Sequence, residues 1–135
     1  MPESISMRIT YGELRRIAAS LGVRVWSRDL DDETAGYYDD VYDAIIIDRT
    51  MTYREKRCAM LHELIHWAHA DSSCGWLTDT KMELRTRRET ATRLISPSEY
   101  ALAEYEYDGI PYSIAEELDV TMQVVRDFQK LVVGV

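Results

Sequence analysis

Apolar positions recur at two periods along the chain, and the change from one to the other marks the elements. Leu14, Ile17, Ala18 and Leu21 fall three and four residues apart, which predicts a helix from Tyr11 to Leu21 with Gly22 as its stop. Val23-Arg24-Val25-Trp26 alternates and predicts a strand. The acidic stretch Asp29 to Thr34 reads as a turn. Gly36-Tyr37-Tyr38 and Ala44-Ile45-Ile46-Ile47-Asp48 are rich in aromatic and β-branched residues. They predict two more strands, joined as a hairpin across Asp39–Asp43.

From Thr52 the period becomes helical. Thr52-Tyr53-Arg54-Glu55 fits a capping box, in which a Thr and a Glu three residues on satisfy each other's backbone N–H groups. This helix is expected to reach about Ala70, with Asp71-Ser72-Ser73-Cys74-Gly75 breaking it. A second long helix is expected from Asp79 or Thr80 to Ile95, stopped by Ser96-Pro97. Beyond Pro97, Ile114 to Thr121 followed by Met122 to Leu131 has a helix–turn–helix rhythm. The expected class is α+β. It is a single domain over residues 1–135, with a core at 22–97 in which a small mixed or antiparallel sheet packs on the helix after Thr52, and a helical tail at 98–135.

Charge and cysteines narrow the class of chemistry. The 135 residues carry 24 acidic against 16 basic side chains, a formal net charge of −8. Binding to a nucleic-acid backbone rests on Lys and Arg neutralising phosphates, so this balance argues against it. The second helix of the helix–turn–helix-like segment offers Arg126 and Lys130 against Asp127, which is thin for phosphate contacts. That segment is therefore expected to pack as a structural tail or to meet a protein partner. Two cysteines, Cys58 and Cys74, make no disulfide framework. No apolar run approaches the roughly 20 residues that span a bilayer, and Met1 to Thr10 has no apolar signal core. A reduced, cytoplasmic setting is the expectation.

The chemistry concentrates in one helix. All three histidines lie between Ala59 and Ala70, and His62-Glu63-Leu64-Ile65-His66 puts two of them four residues apart. One turn of helix then sends both imidazoles off the same face, about 6 Å apart along the axis. Two ring nitrogens can meet one zinc ion at about 2.0–2.1 Å. Glu63 lies about 100° round the helix, within reach of a water at such an ion. Hence the pattern His-Glu-x-x-His combines two ligands with a general base. Glu55, Cys58, His62, His66 and His69 project along one stripe, while Met60, Leu61, Leu64, Trp67 and Ala68 face the expected core.

A catalytic zinc takes a third protein ligand. The candidates are His69, Asp71, Cys74, Asp79, Glu83 and Glu89. His69 is on the stripe but about 10 Å along the axis from His62, too far for three ligands of one straight helix; it reads as a residue lining the site. Asp71 is off the stripe. Cys74 and Asp79 lie near a turn that can fold back. Glu83 is placed to face His66 if the next helix runs antiparallel, and Glu89 is the runner-up on another face. Nitrogen and oxygen ligands would also accept manganese or iron.

The run from Gly22 to Pro97 resembles the ImmA/IrrE family of metallo-endopeptidases. The likeness rests on Leu21-Gly22-Val23, Gly36-Tyr37-Tyr38, Ile45-Ile46-Ile47-Asp48, Leu61-His62-Glu63-Leu64-Ile65-His66, and a second signature helix from Glu83 to Leu94-Ile95-Ser96-Pro97. The resemblance implies a zincin-like fold, zinc held by His62, His66 and Glu83, and Glu63 as catalytic base. It also implies a protein substrate, typically a helix–turn–helix repressor whose cleavage switches on phage, mobile-element or stress genes. Arg87 departs from the family, standing where Asp or Asn is common four residues after the ligand Glu. Ile65 replaces a common Gly, and Thr86 and Thr90 replace common Ala. The rival reading is a non-catalytic regulator or anti-repressor that binds a protein partner and keeps a structural zinc site.

Overall fold

The fold follows from what each apolar stripe packs against. In the computed structural model, residues 8–31, 35–70 and 81–134 are described. The expected helix break at Asp71–Gly75, the possible ligands Asp71, Cys74 and Asp79, and the start of the second long helix lie outside them.

Helix α1 spans Tyr11–Ser20 and is opened by a capping box between Thr10 and Glu13. It buries Tyr11, Leu14 and Ala18, whereas Ile17 and Leu21 are exposed. The apolar periodicity had placed Ile17 and Leu21 with Leu14 and Ala18. The buried stripe instead runs through Tyr11, at spacings of three and four, and leaves Ile17 beside it. Gly22 then turns the chain with φ +80, a left-handed conformation that costs glycine little.

Three strands follow: β1 (Arg24–Arg28), β2 (Gly36–Asp39) and β3 (Ala44–Asp48). The order is β1-β3-β2, with β3 parallel to β1 and antiparallel to β2, so the sheet is mixed. All five residues of β3 are buried, as befits a central strand covered on both faces. The β2–β3 hairpin turns at Asp43 with φ 51, and Asp43 Oδ1 accepts hydrogen bonds from Tyr38 Oη at 2.8 Å and from Trp67 Nε1 at 3.2 Å. One carboxylate thus ties the hairpin to the end of the next helix.

Helix α2 spans Tyr53–Ala68, with the Thr52–Glu55 capping box in place: Thr52 N donates to Glu55 Oε1 at 3.0 Å and Glu55 N to Thr52 Oγ1 at 3.1 Å. It packs against β2 and β3 on one side and α1 on another. Met60, Leu61, Leu64 and Ile65 are buried, Trp67 is half-buried, and Ala68 is exposed because the helix leaves the core at its last turn. Cys58, placed by projection on the histidine stripe, is buried against the tail.

Helix α3 spans Lys81–Leu94 and packs on α2. Ser96 caps α4 (Pro97–Glu106); α5 (Pro111–Leu118) and α6 (Met122–Asp127) follow, and α6 runs into a π-helical turn at Phe128–Val133. The architecture is α+β: a three-stranded mixed sheet with six α-helices among the described residues. The helix–turn–helix rhythm corresponds to α5 and α6. Their faces Ile114, Ala115, Leu118, Val124, Val125 and Phe128 are buried, so this pair is built into the core. Arg54 on α2 bonds Glu116 and Asp119 at 3.0 Å each, and buried Arg57 donates to the backbone oxygens of Ile9 and Asp119. None of the described helices is long and apolar enough to cross a membrane.

The capping box sets where α2 begins and hence the phase of its histidines. Thr52→Ala is expected to lower stability by about 1 kcal/mol, read from urea denaturation. An unchanged midpoint would remove the cap from this account.

Candidate metal centre

Two consecutive helices supply the side chains. Helix α2 presents His62 and His66 one turn apart, their rings 4.8 Å between centroids and near edge-on. Glu83, in the first turn of α3, inserts its carboxylate between them. His66 Nε2 lies 2.9 Å from Glu83 Oε1, and His62 Nε2 lies 3.2 Å from Glu83 Oε2. All three side chains are mostly buried, at 22%, 14% and 15% exposed for His62, His66 and Glu83. Among the described residues these three form the one His, Cys, Asp and Glu cluster whose ligand atoms all converge, within 4.8 Å of one another. Ligands 2.0–2.1 Å from a tetrahedral ion stand about 3.3 Å apart. The two nitrogen–oxygen separations are close to that, so the donor set and its spacing fit a divalent metal.

Neighbouring groups fix the orientation of this cluster. Thr86, one turn after Glu83, places Oγ1 3.3 Å from His66 Nδ1. With Nε2 turned to a metal, Nδ1 carries the proton and donates to that hydroxyl. Thr86 is buried, and Thr90 Oγ1 donates to its carbonyl at 2.7 Å. Arg87 Nε donates to Glu83 Oε2 at 3.1 Å. Burial by itself raises the pKa of the Glu83 carboxyl. The hydrogen bonds and charges of His62 and His66 outweigh it and hold the group well below the usual carboxylate range.

Glu63, the residue after His62, reaches the sheet at β2. It is buried, and burial pushes its carboxyl up to about 7; the His62 and His66 charges and a hydrogen bond from the Tyr38 backbone N–H work against that rise. A buried carboxyl poised near neutrality beside two imidazoles is the protonation balance that a general base requires.

The remaining candidates fall elsewhere. His69 is the C-cap of α2 and is exposed. Its Nε2 lies 3.1 Å from Glu89 Oε1, and Arg93 holds the other oxygen of Glu89 at 3.0 Å. His69 and Glu89 therefore serve each other in a separate cluster. Cys74 and Asp79 lie outside the described residues.

Several groups at the site were not singled out for it in the sequence. Thr86 and Arg87 stand three and four residues after Glu83, spacings that share its helical face, so their contact had a local signal. The Tyr38 N–H and the approach of Asp127 on α6, near enough for the charges of Arg87, His62 and Glu83 to act on it, had none. Both depend on how distant elements pack.

Among curated proteins and among solved structures nothing matches the chain. A family model does: residues 18–128 match Peptidase_M78, the IrrE N-terminal-like domain. That span covers most of the 135 residues and contains every helix and strand that builds the cluster. The chain belongs to this ImmA/IrrE peptidase family.

Proposed function

We propose that this protein is a zinc-dependent endopeptidase acting on a helix–turn–helix transcriptional repressor. The observation that carries the reading is the convergence of His62, His66 and Glu83 with buried Glu63 one residue from the first ligand. The repressor as substrate rests on what the family resemblance implies, and the cytoplasm is where such a repressor is met.

His62 Nε2, His66 Nε2 and one Glu83 oxygen would hold the ion. Bound there, zinc supplies Lewis acidity, acidifying water and polarising a carbonyl. The chain's own part is proton handling and orientation. Glu63 accepts a proton from the attacking water as the new C–O bond forms. It returns that proton to the amine nitrogen as the C–N bond breaks, so no net charge is left on the enzyme. The Tyr38 N–H anchors the carboxyl, and the strand carrying it lies at an edge of the sheet. Thr86 and Arg87 keep His66 and Glu83 in register.

Two expectations follow for Glu63→Gln. Zinc should still bind with the affinity of the parent. Cleavage of a helix–turn–helix repressor that the parent protein cuts should fall by about 10²–10⁴-fold, the usual contribution of a general base, as followed by mass spectrometry of the fragments. Biological activity that persists in this variant would sink the peptidase reading in favour of a binding-only regulator.

A further expectation concerns pH. In the metal-free protein the Glu63 carboxyl sits at about 7 against an ordinary 4.5. Folding therefore favours its protonated form. The penalty for ionising it is absent below pH 4.5, grows as pH rises to about 7, and is constant above. At about 1.4 kcal/mol per pKa unit it amounts to roughly 3 kcal/mol. Glu63→Gln should gain stability over the parent progressively between pH 5 and 7 in urea titrations of metal-free protein. A difference that does not vary with pH would contradict this placement of Glu63.

A further inference from the structure

The groups used so far come from α2, α3 and β2, yet a buried ionisable side chain from the tail lies on the helix that packs against α3. Asp127 ends α6, is buried, and lies where α6 packs on α3. Its Oδ1 accepts a hydrogen bond from Gln123 Nε2 at 2.9 Å, one turn back on the same helix. Burial raises its carboxyl above the usual range, and the Gln123 hydrogen bond and the charges of Arg87 and His62 work against that rise. Arg87 in turn donates to Glu83 Oε2 at 3.1 Å, the oxygen that approaches His62, while Oε1 serves His66. Next to Arg87, Arg88 Nε donates to the Leu131 carbonyl at 3.1 Å, which fastens the same turn of α3 to the tail.

We propose that Arg87 and Asp127 are positioning residues that fix the Glu83 carboxylate for the metal, which makes the C-terminal helix pair a part of the site. The inference rests on the metal-site reading above. A surface Arg–Glu pair four residues apart on a helix does little beyond supporting that helix. This pair differs in two respects. Its carboxylate is buried between two imidazoles, and a buried carboxyl from another helix, Asp127, lies close enough for the guanidinium charge to act on it. A planar guanidinium bonded to one carboxylate oxygen restricts the rotation of that ligand, so less freedom is lost when an ion arrives. Left alone, its positive charge would also oppose a cation a few ångströms away. Asp127 offsets that charge, which is why the two residues should act as a unit.

The test is the affinity of the full chain for Zn²⁺, measured by competition with a chromophoric chelator, together with the visible spectrum of the Co²⁺-loaded protein. Arg87→Gln is expected to weaken Zn²⁺ binding by about 10–100-fold, the range found for groups behind metal ligands, and to shift the Co²⁺ bands. Asp127→Asn is expected to weaken it about tenfold. The double variant should bind within about twofold of Arg87→Gln, since Asp127 acts through Arg87. Arg87→Lys keeps the charge without the planar fork and should fall between parent and Arg87→Gln. Metal-free melting should match the parent in all four. Equal or tighter binding in Arg87→Gln would overturn the proposal, as would penalties that simply multiply in the double variant. A variant that melts early when metal-free marks a structural role and also counts against it. His66→Ala separates this inference from the one beneath it. If the parent takes no Zn²⁺, or His66→Ala binds as the parent does, the metal site itself fails and this inference falls with it. If His66→Ala abolishes binding while Arg87→Gln is neutral, only the positioning role is lost.

Discussion

Everything at the site depends on one carboxylate lying between two imidazoles. Glu83 gives one oxygen to His66 at 2.9 Å and the other to His62 at 3.2 Å, away from most solvent. A buried carboxylate requires partners, because its desolvation is costly unless charge and hydrogen bonds offset it. Without Glu83, two imidazoles one turn apart have nothing to converge on. Without the imidazoles, the carboxylate has no reason to be buried. The same mutual need that stabilises the cluster also holds three ligand atoms within 4.8 Å of one another, close enough to converge on one ion.

The rest of the fold keeps α2 and α3 from sliding past one another, which would separate the three groups. The β3 strand, buried along its whole length, gives α2 a floor, and Asp43 pins the end of α2 to the hairpin. At its other end, Arg54 and Arg57 bind α2 to the residues that close α5. Helix α3 is held from both sides, by α2 and by α6 with the π-helical turn after it. A helix pair with helix–turn–helix rhythm is thus used as a buttress. Its Arg126 and Lys130 are exposed.

Much of this was legible in local patterns. The Thr52–Glu55 box and the four-residue histidine spacing fixed the phase of α2 because both are properties of one helix. The run Ala44–Asp48 announced a strand through its β-branched residues, and its burial along the whole length came only with the sheet order. The reading weakened where neighbours decide. Ile17 and Leu21 fit the helical period of α1 but lie exposed, since the stripe that meets α2 passes through Tyr11, and a tyrosine is a less obvious core residue. Glu83, His69 and Glu89 were all chemically suitable, and only the pairing of α2 with α3 sends Glu83 to the histidines and leaves Glu89 to His69. Asp127 carried no signal, because nothing in its local sequence says which helix it will face.

The central claim is that His62, His66 and Glu83 hold one metal ion. Anomalous diffraction at the zinc edge from crystals of the zinc-loaded protein tests it most directly. The account predicts a single strong peak about 2.0–2.2 Å from His62 Nε2, His66 Nε2 and a Glu83 oxygen. A peak ligated instead by His69 and Glu89, or no peak between α2 and α3, would contradict it.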